Sequence, residues 1–165
     1  MAFTAAVSHG VSNPNRGPYL IQRTIDFAVE TTAKGSALAA ADVIPGLLVP
    51  ANHIVLMGGA QVMEVMAGTS TDLTLDIGFT GGNVDWVADG FDYDGASADA
   101  YTAPVIAELP IQIDAAGTNN SLDVLIKTQT GTFTGGKLRI FAYVMDASNI
   151  DDEDGMPGAV ARDVA

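Results

Sequence analysis

The stretch Leu73-Thr74-Leu75-Asp76-Ile77-Gly78-Phe79 alternates large apolar side chains with polar or small ones. Successive side chains of a β-strand point to opposite faces, so this period of two predicts a strand with one buried face. The same period starts near Tyr19 and continues through Phe27 and Val29, which predicts a strand that reaches Glu30. Further apolar runs predict strands at residues 42–49, 54–57, 61–66, 106–114, 122–127 and 137–145.

Turn sequences rich in Gly and Asn separate the predicted strands. They are Thr80-Gly81-Gly82-Asn83, Ala116-Gly117-Thr118-Asn119-Asn120 and Thr134-Gly135-Gly136. Seven to eight short strands with such turns predict an all-β fold, an antiparallel β-sandwich or jelly roll. We expect this domain at residues 18–147, between an extended N-terminal arm at 1–17 and an acidic C-terminal tail at 148–165. The small-residue connector at 31–41 has room for one helical turn.

The composition indicates one folded domain with protein partners. The chain has 165 residues, 48% of them hydrophobic, a length at which a domain buries about two thirds of its unfolded surface. It carries 20 acidic and 7 basic residues, and no Lys or Arg occurs between Lys34 and Lys127. An acidic surface repels nucleic-acid phosphates and anionic membranes, so we expect neither as a partner. The absence of cysteine excludes disulfides and thiolate chemistry.

Targeting segments are not predicted. The first 18 residues lack the positive start and apolar run of a secretory signal, so we expect synthesis in a cytoplasm. The longest apolar stretch, Val43 to Val65, is interrupted by several Pro and Gly residues, which argues against an apolar helix across a bilayer.

No catalytic constellation stands out. The segment Gly131 to Lys137 fits G-x-x-x-x-G-K, but Leu138 follows where a phosphate-binding loop needs Ser or Thr. Because this segment joins two predicted strands, a Gly-Gly hairpin is the better interpretation. His9 and His53 have no evident nucleophile or orienting acid nearby. We expect no enzyme activity, although the many aspartates leave open a pair of carboxylates across a cleft.

A long segment from Asp85 to Pro104 is rich in acids and aromatic residues. Its five aspartates could converge on a hard cation or form a solvated surface. Their spacing does not fit a helical calcium loop, so we expect no metal site or other cofactor. The aromatic residues could contact a partner or fold back as a lid over the sandwich, and both interpretations stay open. They are Trp86, Phe91, Tyr93 and Tyr101.

Four stretches together resemble small β-rich virion proteins of tailed phages of marine and freshwater bacteria, of the cyanophage type. They are Tyr19-Leu-Ile-Gln-Arg-Thr-Ile-Asp-Phe, Ala41-Asp-Val-Ile-Pro-Gly-Leu-Leu-Val-Pro-Ala-Asn, Leu73-Thr-Leu-Asp-Ile-Gly-Phe and Gly136-Lys-Leu-Arg-Ile-Phe-Ala-Tyr-Val-Met-Asp. The resemblance covers residues 19–146 and implies a jelly-roll protein that decorates or cements a capsid, often as a trimer. It implies no catalytic residue. The segment from Asp85 to Pro104 and the acidic tail depart from it.

The resemblance leads us to expect a structural protein on the capsid exterior that binds the major capsid protein and forms a homotrimer. No small-molecule substrate is expected. Apolar residues on both faces of the strand at 122–127 fit a subunit that is covered on more than one side. Expected contact residues are Phe3, Val7, Arg16 and Tyr19 near the arm, and Trp86, Phe91 and Tyr93 in the loop. The alternative is a carbohydrate- or host-surface-binding module of a fibre or tail, with the aromatic and acidic loop as its binding face.

Overall fold

A computed structural model describes residues 7–8, 17–79, 81–102, 110–113 and 120–147. These residues form nine β-strands and one α-helix. The strands are β1 Val7–Ser8, β2 Tyr19–Asp26, β3 Val43–Leu48, β4 His53–Gly68, β5 Asp72–Phe79, β6 Ala88–Asp92, β7 Ile111–Gln112, β8 Ser121–Thr130 and β9 Phe133–Asp146, and the helix is α1 Phe27–Lys34. The predicted all-β class is confirmed. No helix of the described part is long and apolar enough to cross a membrane.

The strands form two sheets. One has the order β1-β3-β8-β5-β6 and the other the order β2-β9-β4-β7. Apart from the pairing of β1, the strand pairs are antiparallel, and four of them are nested: β2 pairs with β9, β3 with β8, β4 with β7 and β5 with β6. This nesting, with alternate pairs in opposite sheets, is the double Greek key of a jelly roll. The expected sandwich is therefore confirmed as an eight-stranded jelly roll to which β1 adds a ninth strand.

The added strand β1 comes from the N-terminal arm. It pairs in parallel with β3, with Val7 opposite Leu47 and Ser8 opposite Leu48. The backbone at Val7 thus lies along the edge of this chain's own five-stranded sheet. Phe3, Arg16 and the acidic tail lie outside the described residues.

Helix α1 corrects the prediction that the second strand reaches Glu30. The strand ends at Asp26, whose side chain accepts the backbone N–H of Ala28 at 3.0 Å and so caps the helix. Gly35, with a φ of 73°, ends it in the left-handed conformation. The apolar residue Phe27 faces the core from the first turn of the helix rather than from a strand.

The core fills the space between the sheets. The strand β5 follows its predicted pattern, and Leu73, Leu75 and Ile77 are fully buried. Three aromatic rings close one end of the core, with Phe27 4.7 Å from Phe133 and 5.4 Å from Tyr93 between ring centroids. Such tilted contacts add to the area that the rings bury.

Two loop predictions need correction. The segment from Asp85 to Pro104 contains β6, which pairs with β5. The segment Gly131 to Lys137 is not a hairpin, because β8 and β9 belong to different sheets. It crosses from one sheet to the other beside the β4–β5 turn, where Thr69 N–H donates to the Thr132 carbonyl at 2.9 Å.

Candidate interaction surface

The outer face of the four-stranded sheet carries large apolar side chains in register. Leu20 of β2 lies opposite Tyr143 of β9, which in turn lies opposite Met57 of β4. These side chains are 51%, 38% and 46% exposed, whereas their neighbour Val144 is fully buried on the inner face. Contiguous exposed apolar groups of this kind mark an interaction surface. We call the outer side of β2, β9 and β4 the apolar face.

The next row of the apolar face places an aromatic ring over a glycine. Gln22 lies opposite Phe141, and Phe141 lies opposite Gly59. A Cβ added at Gly59 would lie 2.6 Å from Cζ of Phe141, so the ring occupies the space that a side chain would need. The absence of a side chain at Gly59 therefore allows the Phe141 ring to lie close to the sheet.

A groove crosses the apolar face at its third row. Arg139 of β9 lies opposite Gln61 of β4, and its Nη1 donates to Gln61 Oε1 at 3.3 Å. Tyr101 forms an isolated bridge with Gln61 and is 61% exposed. The groove has a volume of about 200 Å³. Its lining residues are Leu20, Gln22, Gln61, Tyr101, Arg139 and Phe141.

A polar row borders the apolar face. Lys137 of β9 lies between Asp26 of β2 and Glu64 of β4, with its Nζ 2.9 Å from Glu64 Oε2 and 3.7 Å from Asp26 Oδ2. The hydrogen bond to Glu64 and the two carboxylate charges raise the pKa of Lys137. All three groups are thus engaged with one another.

The outer face of the five-stranded sheet has a different chemistry. Lys127 forms ion pairs with Asp76, at 3.3 Å, and with Asp89. The hydrogen bond to Asp89 contributes most to the raised pKa of Lys127. Asp123 accepts the backbone N–H of Gly46 at 2.8 Å. This face is therefore acidic, with its buried carboxylates held in hydrogen bonds, and the apolar face is the better candidate for a protein partner.

Tyr19, an expected contact residue, is engaged inside the domain. Its hydroxyl donates to Nε2 of His53 at 2.8 Å, while Nδ1 of His53 donates to the Ala51 carbonyl at 2.9 Å. Burial and then the charge of Asp146 raise the pKa of Tyr19. The pair joins the start of β2 to the start of β4.

Three of the four aromatic residues of the loop fold back onto the core, and Tyr101 does not. Trp86 is 2% exposed, and its ring lies 5.3 Å from that of Phe79. Tyr93 is fully buried, and the partly buried Phe91 packs on it at 6.5 Å. This arrangement matches the lid interpretation. The partner-contact role of Trp86, Phe91 and Tyr93 stays a prediction.

Three aspartates of the loop accept hydrogen bonds from different parts of the domain. Asp94 accepts the N–H of Leu73, Asp92 accepts the N–H of Gly95, and Asp99 accepts from Gln61. Among the described residues, no group of three or more His, Asp or Glu is placed to hold a metal ion. Asp92 thus closes a turn within the loop, whereas Asp94 and Asp99 tie the loop to β5 and β4.

Comparison with known proteins identifies the fold. No family model and no curated protein matches the chain. The structure is similar to a chain of the cyanophage Pam1 capsid asymmetric unit, with 16% identity, a TM-score of 0.56 and coverage of 82% of this chain and 92% of that chain. It is also similar to a chain of the capsid of Ralstonia phage GP4, with 14% identity, a TM-score of 0.50 and coverage of 86% and 98%. The jelly roll of this chain is thus a fold that also occurs in phage capsids.

Proposed function

We propose that this chain is a structural virion protein that decorates and cements a phage capsid by binding the major capsid protein. One observation carries the proposal: its fold covers 92% and 98% of chains from two phage capsids. The whole domain, and not a common fragment of it, supports this likeness. We place the protein on the capsid exterior as a homotrimer, without catalytic activity.

The apolar face supplies the contact that such a role needs. Leu20, Met57 and Tyr143 present apolar area that a partner can remove from water. On a capsid lattice many copies bind at once, so a modest affinity per contact is sufficient. The acidic outer face of the other sheet is suited to remain in solvent.

The N-terminal arm adds to this contact in our proposal. Phe3, Val7 and Arg16 would bind the neighbouring capsid subunit, and β1 would anchor the arm to β3. Deletion of residues 1–17 should leave a folded domain that binds capsids more weakly. Unchanged decoration by the truncated protein would exclude a role for the arm.

The direct test is binding of the purified protein to capsid shells that lack it. The double variant Leu20→Ser, Met57→Ser should bind at least about tenfold more weakly, because each apolar side chain contributes about 1.5–3 kcal/mol when fully buried. The matched control Asp72→Asn, Thr74→Ser changes the opposite outer face and should bind as the wild type does.

Two results would contradict the proposal. Wild-type protein that does not bind shells, or that is present in only a few copies per purified particle, cannot be a decoration protein. Native mass spectrometry tests the trimer separately, and a monomer at working concentration would exclude it.

A second function is favoured by one observation, the exposed ring of Tyr101 next to the polar groups of Gln61 and Arg139. Exposed aromatic rings with such neighbours stack on sugars. The chain would then be a carbohydrate- or host-surface-binding module of a fibre or tail. Loss of glycan-array binding in Tyr101→Ala would support this function, and absence of glycan binding by the wild type would exclude it.

A further inference from the structure

Arg139 differs from every other basic side chain of the described residues. Five basic residues lie in this part of the chain, and four of them form ion pairs with carboxylates. The four are Arg23, Lys34, Lys127 and Lys137. Arg139 pairs with no carboxylate of the described residues, although the chain has 20 acids to 7 bases. Among the basic residues that the structure describes, the one without a carboxylate partner thus lies in the groove of the apolar face.

Within the described part of the chain, the guanidinium of Arg139 has one hydrogen-bond partner and further donors beyond it. An arginine offers five N–H groups in a planar fork, and the described partner of Arg139 is the amide oxygen of Gln61 at 3.3 Å. Gln61 turns its own N–H toward Asp99, at 3.3 Å, and so presents its oxygen to the guanidinium. Gln61 therefore stands between Arg139 and Asp99, and Arg139 itself lines the groove.

The walls of the groove determine what a ligand must carry beside a negative charge. Leu20 and Phe141 supply apolar surface, and Tyr101 supplies a ring that is mostly exposed. A planar guanidinium prefers the two oxygens of a carboxylate, because two parallel hydrogen bonds can form at once. Partial enclosure between apolar groups strengthens that pair.

We propose that this groove binds a short segment of a partner protein in which an acidic side chain, flanked by apolar side chains, pairs with Arg139. The identity of the partner as a capsid subunit rests on the proposed function. The carboxylate specificity of the groove rests on the ion-pair pattern of this chain. A volume of about 200 Å³ accommodates one acidic side chain, and the apolar side chains on either side of it would lie on Leu20 and Tyr101. The acidic outer face of the five-stranded sheet repels such a segment, so Arg139 also determines which face the segment binds.

The test uses the full chain and two peptides that differ by one group, acetyl-Leu-Asp-Leu-amide and acetyl-Leu-Asn-Leu-amide. The acidic peptide should cause saturable NMR shifts of the Arg139 Nε–H and the Tyr101 ring, and the neutral peptide should bind about tenfold or more weakly. Arg139→Gln should remove the difference between the peptides. The control Lys137→Gln removes a positive charge from the same strand and should retain the difference.

The outcomes separate this inference from the proposed function. Equal shifts from both peptides, or a saturable response to free glucuronate without one to the acidic peptide, would overturn the inference. If Arg139→Gln binds shells as well as the wild type does, the inference is overturned as well, while the decoration role stands. Failure of the wild type to bind shells, together with selective binding of the acidic peptide, would overturn the decoration role and support a carboxylate-specific groove.

Discussion

Arg23 and Glu30 form an ion pair inside the domain, with Nη2 of Arg23 3.3 Å from Oε1 of Glu30. The two side chains are only 11% and 2% exposed. Nη1 of Arg23 also donates to the carbonyls of Pro45, at 2.6 Å, and Gly46, at 3.0 Å. One guanidinium therefore joins β2, α1 and β3, and it satisfies carbonyls where the pairing of β3 with β8 is irregular.

Removal of the negative charge at Glu30 should destabilise the domain strongly. Glu30→Gln leaves a guanidinium in a buried place without its counter-charge, so we expect the free energy of unfolding to fall by about 3 kcal/mol. Urea denaturation measures the change. Glu64→Gln is the control, because this exposed partner of Lys137 should contribute less than about 1 kcal/mol. Equal losses in the two variants would contradict a special role for the buried pair.

Two glycines should respond differently to the same added methyl group. A Cβ at Gly46 would lie 2.1 Å from the Leu122 carbonyl oxygen, which belongs to the backbone of β8 and cannot move alone. At Gly59 it would meet the outer end of the Phe141 ring, which can tilt. We expect Gly46→Ala to cost about 3 kcal/mol and Gly59→Ala about 1 kcal/mol in the free energy of unfolding. Similar unfolding midpoints for the two variants would contradict this distinction.

Tyr93 should make the protein sensitive to alkaline pH. Its hydroxyl donates to the Glu64 carbonyl at 2.7 Å, and burial followed by the charge of Glu64 raises the pKa of Tyr93 above its ordinary value of 10.0. The folded state keeps a proton that the unfolded state releases, so stability is fully present below about pH 10 and falls as the pH rises toward the folded pKa.

The variant Tyr93→Phe tests the origin of this fall. It removes the titrating group and also one hydrogen bond, which costs about 1 kcal/mol at neutral pH. Between about pH 9 and pH 11, however, the free energy of unfolding of the variant should decline less steeply than that of the wild type. Urea denaturation at both pH values measures the two slopes. Identical slopes would assign the alkaline sensitivity to other groups.

Trp86→Ala should lower the free energy of unfolding, whether or not Trp86 contacts a partner protein. The indole is buried against Phe79, so its removal leaves a cavity and costs about 3–5 kcal/mol. Tyr101→Ala removes a mostly exposed aromatic ring from the same loop, so it should change the free energy of unfolding by less than about 0.5 kcal/mol. Thermal unfolding compares the two. A Trp86→Ala protein as stable as the wild type would contradict the buried position.

The sequence predicted strands best where alternation and burial agree. Leu73, Leu75 and Ile77 alternate in the sequence and line the core, so β5 was predictable from its period. The period failed at Phe27, because α1 begins there and a helix places residues two apart on different faces, so that Phe27 is buried while Val29 is 51% exposed. Asp26 and Gly35 stand at the start and end of that helix, and these capping residues were the available indication. The pairing order of the strands was not predictable, since it depends on contacts between distant segments.

The candidate surface was harder to predict than the fold. Aromatic residues in a loop suggested contact, but Trp86 and Tyr93 are buried by tertiary packing that no local pattern encodes. The exposed apolar residues lie on strands, where an apolar side chain is normally assigned to the core. The sequence of β9 held the better indication, because Phe141 and Tyr143 place large side chains on the face opposite Ile140 and Val144.

The nested order of the strands determines when the apolar face can exist. Leu20 enters the face from β2, near the start of the domain, whereas Phe141 and Tyr143 enter it from β9, the last strand that the structure describes. During translation, the ribosome must therefore release β9 before the four-stranded sheet can form. A chain that stops before residue 133 lacks both Phe141 and Arg139, which line the groove. Pairing over such a separation in sequence is slow compared with local folding. If the proposed function holds, only a chain that includes β9 can bind through this face, so the topology itself would exclude shorter chains from assembly.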